Sequence, residues 1–253
     1  MSNHRVLVTN DDGIDSPGIR FLALELSKRF DVTVAAPAVD MSGSGTGIGR
    51  FDPVSGVDLI EADIGDGVEA YSIAGPPGLA VMAAALGAFG ERPDLVVSGV
   101  NAGINTGHSV IHSGTVGAAL TARTFQSKGL AVSLAQSEPW HWETAVPVAV
   151  DAASWLLERR SEPRVLNINV PALPQADLKG IHWADLDEFG YFRVANAQME
   201  SKKLQLEVGP STDRSDPASD TALCAQGYVT VTPLSTVEPS PFPDSPATDI
   251  WAG

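Results

Sequence analysis

Short apolar runs alternate with longer amphipathic stretches over the first two thirds of the chain. The short runs are rich in Val, Ile and Leu, which is typical of buried strands, whereas the longer stretches repeat apolar residues at helical spacing. This alternation predicts an α/β fold with a mostly parallel sheet flanked by helices. The predicted strands are Arg5–Thr9, Val32–Ala36, Leu95–Ser98, Leu130–Ser133 and Val165–Ile168. The predicted helices are Ile19–Phe30, Pro77–Phe89, Val116–Phe125 and Trp142–Arg160.

The pattern changes near Pro171, after which the apolar runs become short and turn residues become frequent. Gln205–Val208 and Gly227–Thr232 have the character of strands, and Ser211–Ser219 that of a polar loop. Glu238–Pro246 contains four prolines and cannot form a regular helix. We therefore predict an α/β core over residues 1–170 and a β-rich arm with a loose tail over residues 171–253.

Composition narrows the classes of partner. The 253 residues carry a net charge of −15, which argues against a nucleic acid polymer as partner because phosphate contacts need a basic surface. The longest apolar run, Leu79–Phe89, is too short to cross a bilayer, so no membrane association is expected. A single cysteine, Cys224, excludes an intramolecular disulfide. With no signal peptide visible at the N-terminus, these features predict a cytoplasmic protein.

Polar loops follow several of the predicted strands. Asp11, Asp12 and Gly13 come after the first strand, Ser42–Gly45 after the second, and Asn101–Asn105 after the third. Loops at the carboxyl ends of parallel strands meet at one crevice, so their oxygen atoms are expected to converge. An all-oxygen set suits Mg²⁺, Mn²⁺ or Ca²⁺ better than Zn²⁺. The same residues are also ordinary turn and cap formers, so the aspartates could instead cap the following helix.

A candidate anion site lies at the start of the third helix. Ser113, Gly114 and Thr115 precede Val116, where free N–H groups and the helix dipole favour a phosphate. Ser113 is equally typical of a helix N-cap. His108 and His112 flank this site and are candidates to protonate a leaving group, with His108 preferred. The first strand is followed by neither a P-loop nor G-x-G-x-x-G, so the chain lacks the fingerprint of an ATPase or a dinucleotide-binding protein.

At these residues the chain resembles the SurE family, the stationary-phase survival nucleotidases. The resemblance covers nearly the whole length, and its order and spacing are specific. The matching segments are Leu7–Gly13, Ser16–Ile19, Ala35–Pro37 with Ser42 and Gly43, Pro93–Gly103, Ser113–Thr115, Leu166–Pro171 and Gly227–Leu234.

The resemblance implies a Rossmann-like core, a C-terminal β arm used in oligomer contacts, and metal-dependent hydrolysis of nucleoside monophosphates. It places the metal ligands at Asp11, Asp12, Ser42 and Asn101. It places the residues on the phosphate side at Asn105, Ser113, Gly114 and Thr115, with which we group Asn10. This chain departs from the family at His108, where an acid is common, at His112, where Tyr is common, and over Gly75–Ala80.

We therefore predict a phosphomonoesterase that hydrolyses nucleoside 5′-monophosphates, and 3′-monophosphates as a further substrate, with Mg²⁺ or Mn²⁺ as cofactor. Asp11 or Asp12 would orient the attacking water, and the chain would form a homodimer or homotetramer. Two alternatives remain open at this stage. One is a non-catalytic metal–nucleotide binding protein, and the other is a phosphatase that forms a covalent aspartyl-phosphate at Asp11.

Overall fold

The computed structural model describes residues 4–159, 164–190, 192–200, 203–210 and 216–237. The strands are β1 (Arg5–Thr9), β2 (Asp31–Pro37), β3 (Leu59–Glu61), β4 (Glu69–Ile73), β5 (Leu95–Ala102), β6 (Lys128–Leu134), β7 (Val165–Val170), β8 (Ile181–Trp183), β9 (Phe192–Glu200), β10 (Lys203–Pro210) and β11 (Val229–Leu234). The helices are α1 (Pro17–Ser27), α2 (Pro77–Ala85), α3 (Gly114–Thr124), α4 (Trp142–Glu158) and α5 (Asp220–Ala225). His108–His112 and Gln175–Asp177 form short 3₁₀ turns.

Nine strands form one sheet in the order β3-β4-β2-β1-β5-β6-β7-β11-β8. The six adjacent strands β4, β2, β1, β5, β6 and β7 are parallel to one another. At the two ends of this group, β3 runs antiparallel to β4, and β11 runs antiparallel to β7. From β1 the chain continues to β2 on one side, and β5 lies on the other side. The order therefore reverses between β1 and β5, and ligands of open α/β sheets bind outside the carboxyl ends of strands at such a point.

Helices cover both faces of the sheet. On one face, α1 packs beside α4 and buries Ile19, Leu22 and Leu26. Pro17 occupies the first turn of α1, where its missing N–H costs no hydrogen bond. On the other face, α2 packs beside α3, whose small side chains, including Ala118 and Ala122, let it approach the strands closely. Each fully buried Leu contributes about 1.5–3 kcal/mol, so these two layers hold the strand ends in place.

The α/β architecture predicted from the sequence is confirmed, and the strands and helices predicted in the first two thirds all form. The structure adds β3 and β4 in a region that showed no clear pattern. The edge strand β3 has only three residues, all of them exposed, so it is too short to show the run or alternation that marks a strand in the sequence.

Part of the predicted arm belongs to the main sheet. Both β11 and β8 extend it beyond β7, and β9 and β10 form a separate antiparallel hairpin. The boundary at Pro171 and the role of the arm stay predictions. The proline-rich tail over Glu238–Pro246 and residues 211–215 of the predicted polar loop lie outside the described residues. Within the described residues, none of the helices combines the length and apolar character needed to cross a membrane.

Candidate active site

The predicted ligands lie at the carboxyl ends of three adjacent strands. Asp11 and Asp12 follow β1, Ser42 follows β2, and Asn101 is the last residue but one of β5. The first two loops are tied together because the N–H of Met41 donates to the carbonyl of Asp11 at 2.8 Å. The topology thus brings to one edge residues that are far apart in the sequence.

Asn10 shapes the turn that presents the two aspartates. Its side-chain amide is buried, donates to the Gly13 carbonyl at 3.0 Å and to Ser16 Oγ at 2.7 Å, and accepts from the Gly13 N–H at 3.2 Å. Gly13 adopts a φ of 102°, a conformation that favours glycine. These contacts indicate that Asn10 holds the loop in shape. The sequence had instead predicted that Asn10 contacts the substrate.

Thr115 lies behind the predicted metal ligands. Its buried hydroxyl contacts Asp11 Oδ1 and lies 3.1 Å from Asn101 Oδ1. A hydroxyl has one proton, so it can donate to only one of these oxygens at a time. The amide nitrogen of Asn101 donates to the Gly103 carbonyl at 2.6 Å, which leaves its oxygen on the side of Asp11. Thr115 therefore lies between two oxygen atoms of the site and can donate to either of them.

The two adjacent carboxylates are poorly compensated. Burial, followed by the neighbouring charge of Asp11, raises the pKa of Asp12 to about 6. The one hydrogen bond described for the Asp12 carboxylate comes from the Ala102 N–H at 3.3 Å. Among the residues that the structure describes, no Lys or Arg forms an ion pair with Asp11 or Asp12. A bound cation would relieve this repulsion.

Two serines in the loop after β2 have opposite surroundings. Ser42 is exposed, and its hydroxyl and N–H both bond to Asp40, which lowers the pKa of that carboxyl. The hydroxyl oxygen of Ser44 is buried and has no hydrogen-bond partner. A methyl group placed on Gly114 would lie 2.5 Å from Ser44 Oγ and 2.7 Å from Asp11 Oδ2, so Ser44 adjoins the site.

The start of α3 abuts this cluster. Ser113 caps the helix, as its sequence position also allowed, by accepting from the Val116 N–H at 3.2 Å. The carbonyl of Ser113 accepts from the Gly117 N–H at 2.8 Å. The first N–H groups of a helix have no partner within it, so those of Gly114 and Thr115 remain available beside Asp11.

Asn105 is anchored to the ends of β6 and β7. Its side-chain nitrogen donates to Ser133 Oγ at 2.9 Å, and its N–H donates to Asn169 Oδ1 at 2.7 Å. Its carbonyl accepts from the side chains of Asn167 at 2.8 Å and Asn169 at 2.9 Å. The polar network fixes Asn105 on the far side of Asn101 from β1.

Both candidate histidines are exposed at the ends of one 3₁₀ turn. The His112 carbonyl accepts from the Gly45 N–H at 3.1 Å, so His112 adjoins the loop that carries Ser44. The His108 N–H donates to the Asp187 carbonyl at 3.0 Å, so His108 adjoins the C-terminal region. The backbone contacts place His112 nearer the carboxylates than His108, the residue preferred from the sequence.

A second pair of carboxylates, Asp187 and Asp220, braces the loop that carries Gly107 and His108. The sequence did not reveal this pair. Asp220 is buried and accepts from the N–H groups of Gly107 at 2.9 Å, Asp187 at 3.0 Å and Thr221 at 2.8 Å. Burial raises the pKa of its carboxyl. Gly107 lies 113 positions from Asp220, so no local pattern could predict this contact.

Space for a substrate is unequal on the two sides of the carboxylates. On the side of β4, backbones meet closely, since a methyl group on Gly78 would lie 2.7 Å from the Gly47 carbonyl. On the side of β6 and β7, a cavity of about 800 Å³ begins at Gly103 and Ile104. Its wall includes Gln136, Leu173, Lys179 and Gln226.

The donor set fits a hard divalent cation. Two carboxylates and the Asn101 amide oxygen converge, and the unrelieved charge at Asp12 marks where a cation would be favourable. Within the described ranges, no three His, Cys, Asp or Glu side chains are arranged so that they could hold a metal ion together, so hydroxyl and amide oxygens or water would complete such a shell.

Comparison with known proteins gives one consistent result. Residues 6–192 match the family described as Survival protein SurE. The 5′-nucleotidase SurE of Histophilus somni (strain 2336) is 37% identical over 238 residues, which cover 91% of this chain and 92% of that protein. That of Thermosipho africanus (strain TCF52B) is 36% identical over 244 residues, with 91% of each chain covered. The crystal structure of the SurE protein from Aquifex aeolicus superposes with a TM-score of 0.76 at 29% identity and covers 91% of this chain and 93% of that one. The chain therefore belongs to the SurE family.

Proposed function

We propose that this chain is a phosphoric monoester hydrolase that converts nucleoside 5′-monophosphates to nucleoside and phosphate. The observation that carries the proposal is the pair of adjacent, poorly compensated carboxylates at the switch point of the sheet, beside a helix N-terminus. Relatives at 36–37% identity are named 5′-nucleotidase, which supports this substrate class. Hydrolysis of 3′-monophosphates is a further activity that the same site would allow.

Asp11, Asp12, Ser42 and Asn101 would hold a divalent cation, with Mg²⁺ or Mn²⁺ favoured and Ca²⁺ also compatible with oxygen ligands. Such a cation would neutralise charge on the phosphoryl oxygens and acidify a water molecule. For Ser42 to take part, its hydroxyl would have to leave Asp40. This exchange is open to Ser42 because the residue is exposed.

The protein groups around the carboxylates suit phosphoryl transfer. The N–H groups of Gly114 and Thr115, with Ser113 at the cap, would donate to non-bridging oxygens of the phosphate. Asn105 would lie on the opposite side of the phosphate. Thr115 would keep Asp11 in place through its buried hydroxyl. Asp11 or Asp12 would orient the attacking water. His108 or His112 would protonate the leaving oxygen. The backbone contact of His112 with the loop of Ser44 favours His112 for this role.

The nucleoside would extend into the cavity that begins at Gly103. Its volume of about 800 Å³ accommodates a base and a ribose, and its wall mixes apolar side chains with amide groups. The Ala172→Trp variant should fill part of this cavity and raise KM for nucleotides. Ala88→Trp is a control at an exposed position outside the cavity. Equal KM values for both variants would place the nucleoside elsewhere.

The direct test is a phosphate-release screen of nucleoside 5′- and 3′-monophosphates with Mg²⁺, Mn²⁺ or EDTA. We expect release from 5′-monophosphates with either metal and none in EDTA. Nucleotide binding without release would support a non-catalytic binding protein. Net retention of configuration at a chiral phosphorus atom, instead of the inversion that direct attack by water produces, would indicate an aspartyl-phosphate at Asp11.

We also propose a homodimer or homotetramer in a reducing compartment such as the cytoplasm. In the single chain, the edge strand β8 exposes Ile181 and Trp183 beside an apolar groove of about 540 Å³, which supports an association surface. A lone buried cysteine suits reducing conditions. Light scattering should give at least a dimer, and an active monomer at micromolar concentration would contradict the proposal.

A further inference from the structure

The hydroxyl of Ser44 is an anomaly in the site. Its oxygen is buried and lacks a hydrogen-bond partner, although buried hydroxyls are nearly always paired. Ser98 is unpaired in the same way, but Ser44 differs from it because its hydroxyl lies beside Asp11 and the start of α3. Such a group becomes paired when a ligand with a suitable oxygen enters.

The loop that carries Ser44 is held firmly. The Ser44 N–H donates to the Met41 carbonyl at 3.1 Å, and the next residue, Gly45, donates to the His112 carbonyl at 3.1 Å. Gly117 in α3 approaches so closely that a methyl group there would lie 2.0 Å from the Gly45 carbonyl. The backbone therefore fixes the Ser44 side chain against the first turn of α3.

The surroundings of the hydroxyl specify its ligand. It lies beside Gly114, where the N–H groups of Gly114 and Thr115 have no partner within the helix. The helix N-terminus and the hydroxyl are both donors, and both adjoin Asp11. A phosphoryl oxygen is the acceptor that would satisfy all three donors, since a helix N-terminus favours an anion.

We propose that the Ser44 hydroxyl donates a hydrogen bond to a non-bridging oxygen of the bound phosphoryl group. This inference rests on the proposed phosphatase function and adds a binding residue to that site. Ser44 differs in this respect from Ser42, which is exposed and already bonded to Asp40.

The test compares Ser44→Ala with Ser98→Ala. Ser98, in β5, also has a buried hydroxyl without a partner, so it matches Ser44 in its cost to the fold. Both variants should melt at or above the wild-type temperature, because each removes an unpaired hydroxyl. Only Ser44→Ala should weaken the binding of inorganic phosphate, measured by calorimetry with saturating Mg²⁺, by roughly tenfold. It should lower kcat/KM for nucleotides by a similar factor.

Unchanged phosphate affinity and kcat/KM in Ser44→Ala would overturn the inference. So would a loss of Mg²⁺ affinity with no loss of phosphate affinity at saturating metal, because Ser44 would then contact the metal. Equal losses in Ser98→Ala would show that the effect is structural, and this also overturns the inference. Failure of the proposed function has a separate signature, since wild-type protein would then release no phosphate from any monoester.

Discussion

The Asp11–Asp12 pair and the Asp187–Asp220 pair both contact the segment from Ala102 to Thr115. The two pairs differ in how many hydrogen-bond donors surround their carboxylates. Asp220 accepts three backbone N–H groups, and Asp187 accepts from Phe189 at 3.1 Å and from the Ser219 hydroxyl at 2.8 Å. Asp11 and Asp12 share one described backbone N–H and the hydroxyl of Thr115. Both pairs are buried to a large extent, so burial does not explain the difference.

The supply of donors distinguishes a structural carboxylate from a functional one. A buried carboxylate surrounded by N–H groups is satisfied by the protein and can bind nothing more without losing a bond. A carboxylate pair with few donors remains an acceptor for a cation. The Asp187–Asp220 pair thus braces the loop, and the Asp11–Asp12 pair is available for chemistry.

The largest effect should follow from neutralising Asp11. Asp11→Asn removes a charge from the proposed cation site, and we expect kcat/KM to fall roughly a thousandfold, the scale of about 4 kcal/mol of lost electrostatic stabilisation. The metal-free variant should be as stable as wild type, since a repulsion is relieved. Asp15→Asn, an exposed change in the same loop, is the control. Near-normal activity of Asp11→Asn, or full wild-type activity in EDTA, would contradict metal dependence.

The opposite result is expected at Asp220. Asp220→Ala leaves three buried N–H groups without an acceptor, so the free energy of unfolding should fall by about 3 kcal/mol or more. Urea denaturation with and without Mg²⁺ measures this loss. Asp216→Ala, an exposed change in the preceding turn, should have little effect. If the two variants unfold at the same urea concentration, Asp220 is not the brace that its contacts indicate.

Of the two aspartate pairs, only Asp11–Asp12 could be predicted from the sequence. Asp11 and Asp12 directly follow a strongly apolar strand, so topology alone placed them at the sheet edge. The role of Asp220 depends on Gly107, 113 positions away, and the sequence offers no period or motif that joins them. The isolation of Ser44 was equally hidden, because it depends on how closely α3 packs against the loop.

A third test uses the pKa of Asp12 in metal-free protein. This pKa is raised from 3.8 to about 6, so the folded state binds a proton more tightly than the unfolded state. The resulting stability is fully present below pH 4 and is lost as the pH rises to about 6. Because Asp12 is partly exposed, we expect a loss of about 1–3 kcal/mol.

Urea denaturation in EDTA between pH 4 and 7 measures this slope for wild type and for Asp12→Asn. The variant should lack the contribution from Asp12 and should be the more stable protein at pH 7. A raised pKa at Asp220 adds a similar slope to both proteins, so their difference isolates Asp12. Parallel pH profiles would show that Asp12 is already compensated, which would remove the contrast between the two pairs.

The smallest effect is expected at the histidines. Each of them adjoins one of the two aspartate pairs compared above. His112 is bonded through its carbonyl to the loop of Ser44, and His108 through its N–H to Asp187. If His112 donates the proton to the leaving oxygen, His112→Ala should lower kcat for nucleotides about tenfold, since water can replace it in part. The loss should nearly vanish for p-nitrophenyl phosphate, whose leaving group needs little protonation. His108→Ala is the matched control. A larger loss in His108→Ala would restore the preference drawn from the sequence, and wild-type rates in both variants would assign the proton to water.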